Sequence, residues 1–115
     1  SYFLGIPYTP VRELMDADVP VALATDFNPG SAPSGNMGRV VQMGMVKMKM
    51  HPLEAIAAAT INGAAAMGLE DAAGTIAPGR SANLILTKPM DGLETMGYAF
   101  GEEPVEKVFI GGLEQ

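Results

Sequence analysis

The spacing of apolar positions changes character along the chain, and each change marks an element. Val11, Leu14 and Met15 recur at helical spacing over residues 10–16, with Thr9 as the expected N-cap and Pro10 in the first turn, where a missing N–H costs nothing. Residues 19–24 then form a continuous apolar run that ends at Asp26-Phe27-Asn28-Pro29-Gly30, and its length predicts a strand buried on both faces. From Met37 the period returns to helical: Met37, Val40, Val41, Met45 and Met48 make one face, and Arg39, Gln42, Lys47 and Lys49 mark the wetter side. His51-Pro52-Leu53-Glu54 reads as a helix start, with His51 as N-cap, Pro52 at the first helical position and Glu54 reaching back. Leu53, Ile56, Ala57, Ala64 and Met67 continue an apolar stripe that Asn62-Gly63 interrupts, so two short helices are expected, the second capped by Asn62 and stopped at Gly68.

After Gly74 the pattern becomes strand-like. Residues 75–76, a turn at 77–80, residues 83–87 and residues 106–110 before Gly111-Gly112 are the expected strands and turns, and residues 88–104 form a mixed loop with Tyr98 and Phe100. A helix followed closely by a buried strand is half of a parallel α/β layer. Strands this short cannot bury themselves as a pair, so they are expected to join a sheet completed by other strands.

Composition narrows this picture without changing it. At 115 residues and 48% hydrophobic content the chain can bury one core. A formal charge of −6 disfavours a nucleic-acid partner held through phosphates. Zero cysteines exclude disulfides and thiolate metal sites, which fits a cytoplasmic protein. No apolar run approaches the ~20 residues of a membrane span, and no basic segment followed by an apolar run opens the chain, so neither a membrane partner nor a signal peptide is expected. The nine methionines concentrate on the helix after Met37, where adaptable core packing is the expected use over a peptide groove or a membrane-surface face.

Candidate chemistry centres on Asp26. A carboxylate at the carboxyl end of a buried strand sits where α/β enzymes keep their reactive groups, and it can ligate a divalent metal or move a proton. A lone Asp there is otherwise a turn former. Asn28, Gly30 and Ser31 follow within a few residues. Read blandly they make an Asx-Pro turn; read sharply they make a ligand loop whose glycines take positive φ and whose amides and hydroxyl point at a bound carboxylate or ring amide. His51 is expected to cap a helix rather than bind metal, because no second His or Glu pairs with it as a ligand. Glu70-Asp71 and Glu102-Glu103 are expected to be solvated surface charge.

Three segments in order, Val21-Ala22-Leu23-Ala24-Thr25-Asp26-Phe27-Asn28-Pro29-Gly30-Ser31, residues 58–68 and residues 74–86, resemble the carboxyl-terminal third of a metal-dependent amidohydrolase. The first segment, together with Tyr98-Ala99-Phe100-Gly101-Glu102, is similar in particular to the imidazolonepropionase branch. The resemblance implies an α/β fold: the end of a TIM-like (β/α)8 barrel over residues 1–72 and part of an accessory β-sandwich over residues 73–115. It implies that Asp26 binds a single zinc or iron ion and assists proton transfer, and that Asn28, Gly30 and Ser31 contact the small-molecule substrate. The implied reaction is hydrolysis of 4-imidazolone-5-propanoate to N-formimidoyl-L-glutamate in histidine degradation, by a homo-oligomer. Two positions depart from the pattern: Asn83 where Asp is common, and His51 where Thr or Ser caps the helix.

A complete barrel needs eight strands and about 250 residues. The paired His-x-His ligands and a later histidine have no counterpart in these residues, so the expectation is a fragment without turnover of its own, whose uncovered apolar faces favour self-association. Two further readings stay open: another amidohydrolase or aminohydrolase acting on a cyclic C–N bond, and a non-catalytic module that keeps the motif. A His-x-His strand upstream would favour an enzyme.

Overall fold

The computed structural model describes residues 2–115. Its element order is α1 (Val11–Asp16), α2 (Met37–Lys47), α3 (Pro52–Ala59), α4 (Ile61–Ala66), β1 (Leu84–Thr87), α5 (Thr95–Tyr98), β2 (Val105–Ile110) and β3 (Leu113–Glu114). The core is made by the helices. Val11, Val41, Met50, Ala55 and Ala58 are buried together, and Met15, Val21, Leu23, Met45, Met48, Ile56 and Met96 pack against them. Methionine therefore serves as core filler on α2, as its polarisable, unbranched side chain suits.

Several local expectations hold for the reasons that suggested them. The α3 start is a capping box: the Glu54 carboxylate accepts from the His51 amide at 2.7 Å, and His51 Nδ1 accepts from the Leu53 amide at 3.4 Å. Met67 and Gly68 end α4, with Gly68 at φ +67. Gly111 and Gly112, at φ +58 and +84, join β2 to β3 in a two-residue hairpin loop. Asn83 Oδ1 accepts from the Gly111 amide at 2.9 Å, so the amide at this position supplies the acceptor that a carboxylate would.

Others are corrected. Residues 19–25 are extended but form no strand, and they are covered on one side only: Val21, Leu23 and Thr25 are half-buried, while Val19, Ala22 and Ala24 are exposed. A ladder needs a neighbouring strand, and the segment instead lies against helices, with the Leu23 amide donating to Ala58 O at 3.0 Å. Gln42, expected on the wet side, is 1% exposed. Its amide is fully occupied, Nε2 donating to Glu102 O at 3.1 Å and to Ala99 O at 3.4 Å, and Oε1 accepting from the Gly101 amide at 3.1 Å.

The N-cap of α1 is Pro10, not Thr9, because the Val11 amide bonds Thr9 O in a tight turn before the helix. Helices α3 and α4 break at Thr60, not at Asn62. Leu53 and Met67 are exposed, and Ala55 and Ala58 take the buried positions expected of them; α2 and α3 approach closely at Ala55, whose Cβ lies 3.6 Å from where a Cβ on Gly44 would stand. Gly44 on α2 has the same cause: a Cβ there would stand 3.1 Å from Leu23 Cδ1 and 3.2 Å from Met50 Sδ. Ile76 is 87% exposed and residues 75–76 form no strand. The sheet is antiparallel with order β1-β2-β3, and a register shift falls between Leu86 and Thr87.

Candidate functional site

Two hydrogen bonds fix where residue 26 stands. The Ala58 carbonyl lies in the last turn of α3, where carbonyls lack helical partners, and Leu23 N supplies one. Asn62 Nδ2 donates to Val21 O at 2.8 Å. Asn62 thus ties the extended segment to the α3–α4 corner instead of capping a helix. A lone amide in an otherwise small, apolar helix was the sequence signal for this tie.

The chain then turns sharply. Asp26 has φ +50, a conformation that costs a non-glycine residue energy and that clusters at functional positions. Its carbonyl accepts from Asn28 Nδ2 at 2.7 Å. Asn28 and Ala32 exchange backbone hydrogen bonds at 3.0 and 3.3 Å, closing a short loop. Inside it Asn28 Oδ1 accepts from the Gly30 amide at 3.0 Å, the Ser31 amide at 2.8 Å and Ser31 Oγ at 3.2 Å.

The structure thus brings Asn28, Gly30 and Ser31 together around one oxygen, and joins Asp26 to them through its backbone. Two expectations are corrected here. The positive φ falls on Asp26, not on Gly30 or Gly35. The three donors do not point outward; they converge on the Asn28 side chain, because an Asx residue satisfies the amides two and three positions on. That convergence is also what an anion site requires, since the same three donors can serve a carboxylate oxygen placed where Oδ1 now stands.

Asp26 is exposed, and a carboxylate held at a loop corner is a suitable oxygen ligand for zinc or iron. It is one ligand and not a site: no group of three or more His, Asp or Glu side chains among the described residues is placed to hold a metal ion. His51 is occupied as the α3 cap. Glu54, besides capping, receives Arg12 Nη1 and Nη2 at 3.0 and 3.1 Å, and these bonds, with the His51 amide, hold its carboxyl below the usual carboxylate range. An open groove of about 520 Å³ between α2 and α5, lined by Met45, Met50, Gly97 and Phe100 among others, includes none of the candidate residues.

A sequence profile of the amidohydrolase family matches residues 4–114. The chain belongs to the amidohydrolase family. Within known amidohydrolases, imidazolonepropionase from Flavobacterium johnsoniae is 60% identical over 112 residues, covering 97% of this chain and 27% of that protein. Imidazolonepropionase from Geobacillus kaustophilus is 41% identical over 112 residues, covering 97% of this chain and 26% of its own length. The chain therefore spans about a quarter of the curated relatives it matches. Among solved structures, an adenosine deaminase from Xanthomonas campestris with bound zinc superposes with a TM-score of 0.79 at 26% identity, covering 93% of this chain and 28% of that one. Guanine deaminase from E. coli superposes at 0.76 with 19% identity, covering 98% and 31%, a likeness of fold. No helix among the described residues is long and apolar enough to cross a membrane.

Proposed function

We propose that this chain is the carboxyl-terminal part of an imidazolonepropionase, which opens the ring of 4-imidazolone-5-propanoate by hydrolysis to N-formimidoyl-L-glutamate. The observation that carries the reading is the closed loop of Asn28, Gly30 and Ser31 beside a strained, exposed Asp26, in a chain 60% identical to a curated imidazolonepropionase over 112 residues. Residues 1–72 are read as the end of a TIM-like barrel and residues 73–115 as part of an accessory β-domain. The full-length protein is read as a cytoplasmic homo-oligomer.

In this reading Asp26 is one ligand of a zinc or iron ion, and the remaining ligands lie on the part of the relatives that this chain does not match. A metal held there by Asp26 and those further ligands would supply Lewis-acid activation of water for ring hydrolysis. Asp26 holds or receives a proton at its second carboxylate oxygen. Asn28 swings aside, and the Gly30 amide, the Ser31 amide and Ser31 Oγ then take the propanoate carboxylate in place of Asn28 Oδ1. Three short, convergent donors orient the ring, because a carboxylate accepting several N–H and O–H bonds has little rotational freedom.

The likeness to a zinc-bound adenosine deaminase favours a second reading, in which the full-length protein is an aminohydrolase acting on a nucleobase or similar ring. A substrate panel separates the two. Full-length protein loaded with zinc or iron is assayed on imidazolonepropionate, adenosine and guanine. Ring opening of the first without ammonia release from the others supports the proposal, and the converse replaces it. The 115-residue chain alone is expected to show no turnover.

A further inference from the structure

The candidate loop ends at Asn36, and Asn36 does more than cap α2. Its Oδ1 accepts from the Arg39 amide at 3.1 Å, while its Nδ2 donates to Glu103 Oε2 at 3.0 Å, on a segment 67 residues away. The other Glu103 oxygen, Oε1, accepts from the Val105 amide at 3.2 Å, at the first residue of β2. Further along α2, buried Gln42 grips the same segment through Ala99, Gly101 and Glu102. Residues 99–103 are thus clasped to α2 at two points, one of which is the loop's last residue. Gly38 leaves room for the outer point, since a Cβ there would lie 3.1 Å from Asn36 Oδ1.

We propose that Glu103 is a positioning residue for the 28–36 loop: with Gln42 anchoring its segment, it holds Asn36 and so fixes the loop that presents Asn28, Gly30 and Ser31. The role follows from connectivity. The loop's amino end is already tied to the α3–α4 corner through Val21 and Leu23. Its carboxyl end is held by Asn36, whose two side-chain atoms are each committed. The Asn36 and Val105 donors hold the Glu103 carboxyl below the usual carboxylate range, with Lys88 and Arg39 as the nearby positive charges, so the clasp is formed by the ionised group at neutral pH. The inference rests on the reading of residues 28–31 as substrate-binding.

Polarity reversal tests it in the full-length protein. Asn36→Asp keeps the cap acceptor for Arg39 but sets two carboxylates against each other. Glu103→Gln sets two amides there. The double variant restores one donor and one acceptor, with the Gln oxygen still free for the Val105 amide. Each single variant is expected to speed hydrogen exchange of the Gly30 and Ser31 amides about fivefold, the order for the net loss of one solvent-exposed hydrogen bond. It is also expected to raise KM for imidazolonepropionate with kcat within about twofold, and the double variant to recover both. Unchanged exchange at residues 28–36 in the single variants overturns the clasp. Faster exchange with native KM overturns its role in substrate positioning. If the unmodified protein fails to open the imidazolone ring, the proposed function falls, and exchange with its rescue still decides whether the clasp exists.

Discussion

The helical layer and the sheet of this chain differ in where their burial comes from. Every buried side chain among the described residues lies between Val11 and Ala64, on the helices or their connections. The sheet contributes none: β1 has one half-buried residue, β2 has two, and β3 is fully exposed. The helices share one core of alanines, valines and methionines, although Val46, Leu53, Ile61 and Met67 remain exposed on them or at their ends. The sheet is held by its ladder, by the Gly-Gly hairpin and by Asn83, and its apolar side chains, such as Ile85 and Leu113, face outward. The chain exposes 7813 Å², where a self-contained globular protein of 12.0 kDa exposes about 6000 Å². That excess is the physical counterpart of a chain that spans about a quarter of its relatives.

Substitutions can break or sharpen this contrast. Gly74 stands at φ +85 with the place of a Cβ 2.8 Å from Ala64 Cβ and 2.9 Å from Thr60 O. Gly74→Ala meets both a steric and a backbone penalty and is expected to lose roughly 3–5 kcal/mol in urea unfolding followed by circular dichroism. Met50→Ala empties a site that is 4% exposed at the centre of the helical core, and about 3 kcal/mol is expected. A loss below about 1 kcal/mol at Met50 would mean that the core is not where the helices meet.

The Arg12–Glu54 pair gives a smaller effect with a definite sign. Glu54 titrates below the usual carboxylate range when folded and within it when unfolded, so its stabilisation is complete above the usual range and is lost as pH falls through the lowered value. Both side chains are partly exposed, at 41% and 30%, so salt screens the effect. Unfolding midpoints from pH 6 to pH 3 are expected to fall less steeply in Glu54→Gln than in the native chain, and an unchanged slope would remove Glu54 from the account. Smallest of all is Leu113→Ala on β3, 72% exposed, for which less than about 0.5 kcal/mol is expected; a loss comparable to that at Met50 would show that the sheet has a core of its own.

Sequence periodicity reveals α2, the α3 capping box and the glycine turns because their causes are local: helical spacing, a cap three residues from its partner, positive φ where no Cβ interferes. It fails where the cause is distant. Residues 19–24 look like a fully buried strand because apolar runs encode burial without saying by what, and here helices cover one side only. Gln42 looks solvated because a polar residue beside Val41 and Met45 gives no sign of the carbonyls at 99 and 102 that satisfy it. Asn62 and Glu103 have long-range partners for the same reason. At the candidate loop the residue types Asp26, Asn28, Gly30 and Ser31 are legible as a group. Which of them bears the positive φ, and where the donors point, depends on a side-chain hydrogen bond that composition does not encode.

The central claim is that Asp26 is a metal ligand and proton carrier at one corner of an imidazolone-hydrolysing site. Asp26→Asn keeps the shape, tolerates φ +50 and removes the charge. Measured on the full-length protein, with metal content and imidazolonepropionate turnover read on the same samples, it is expected to lower bound zinc or iron and to reduce kcat by at least about 100-fold. Native turnover with full metal occupancy in Asp26→Asn would contradict the account.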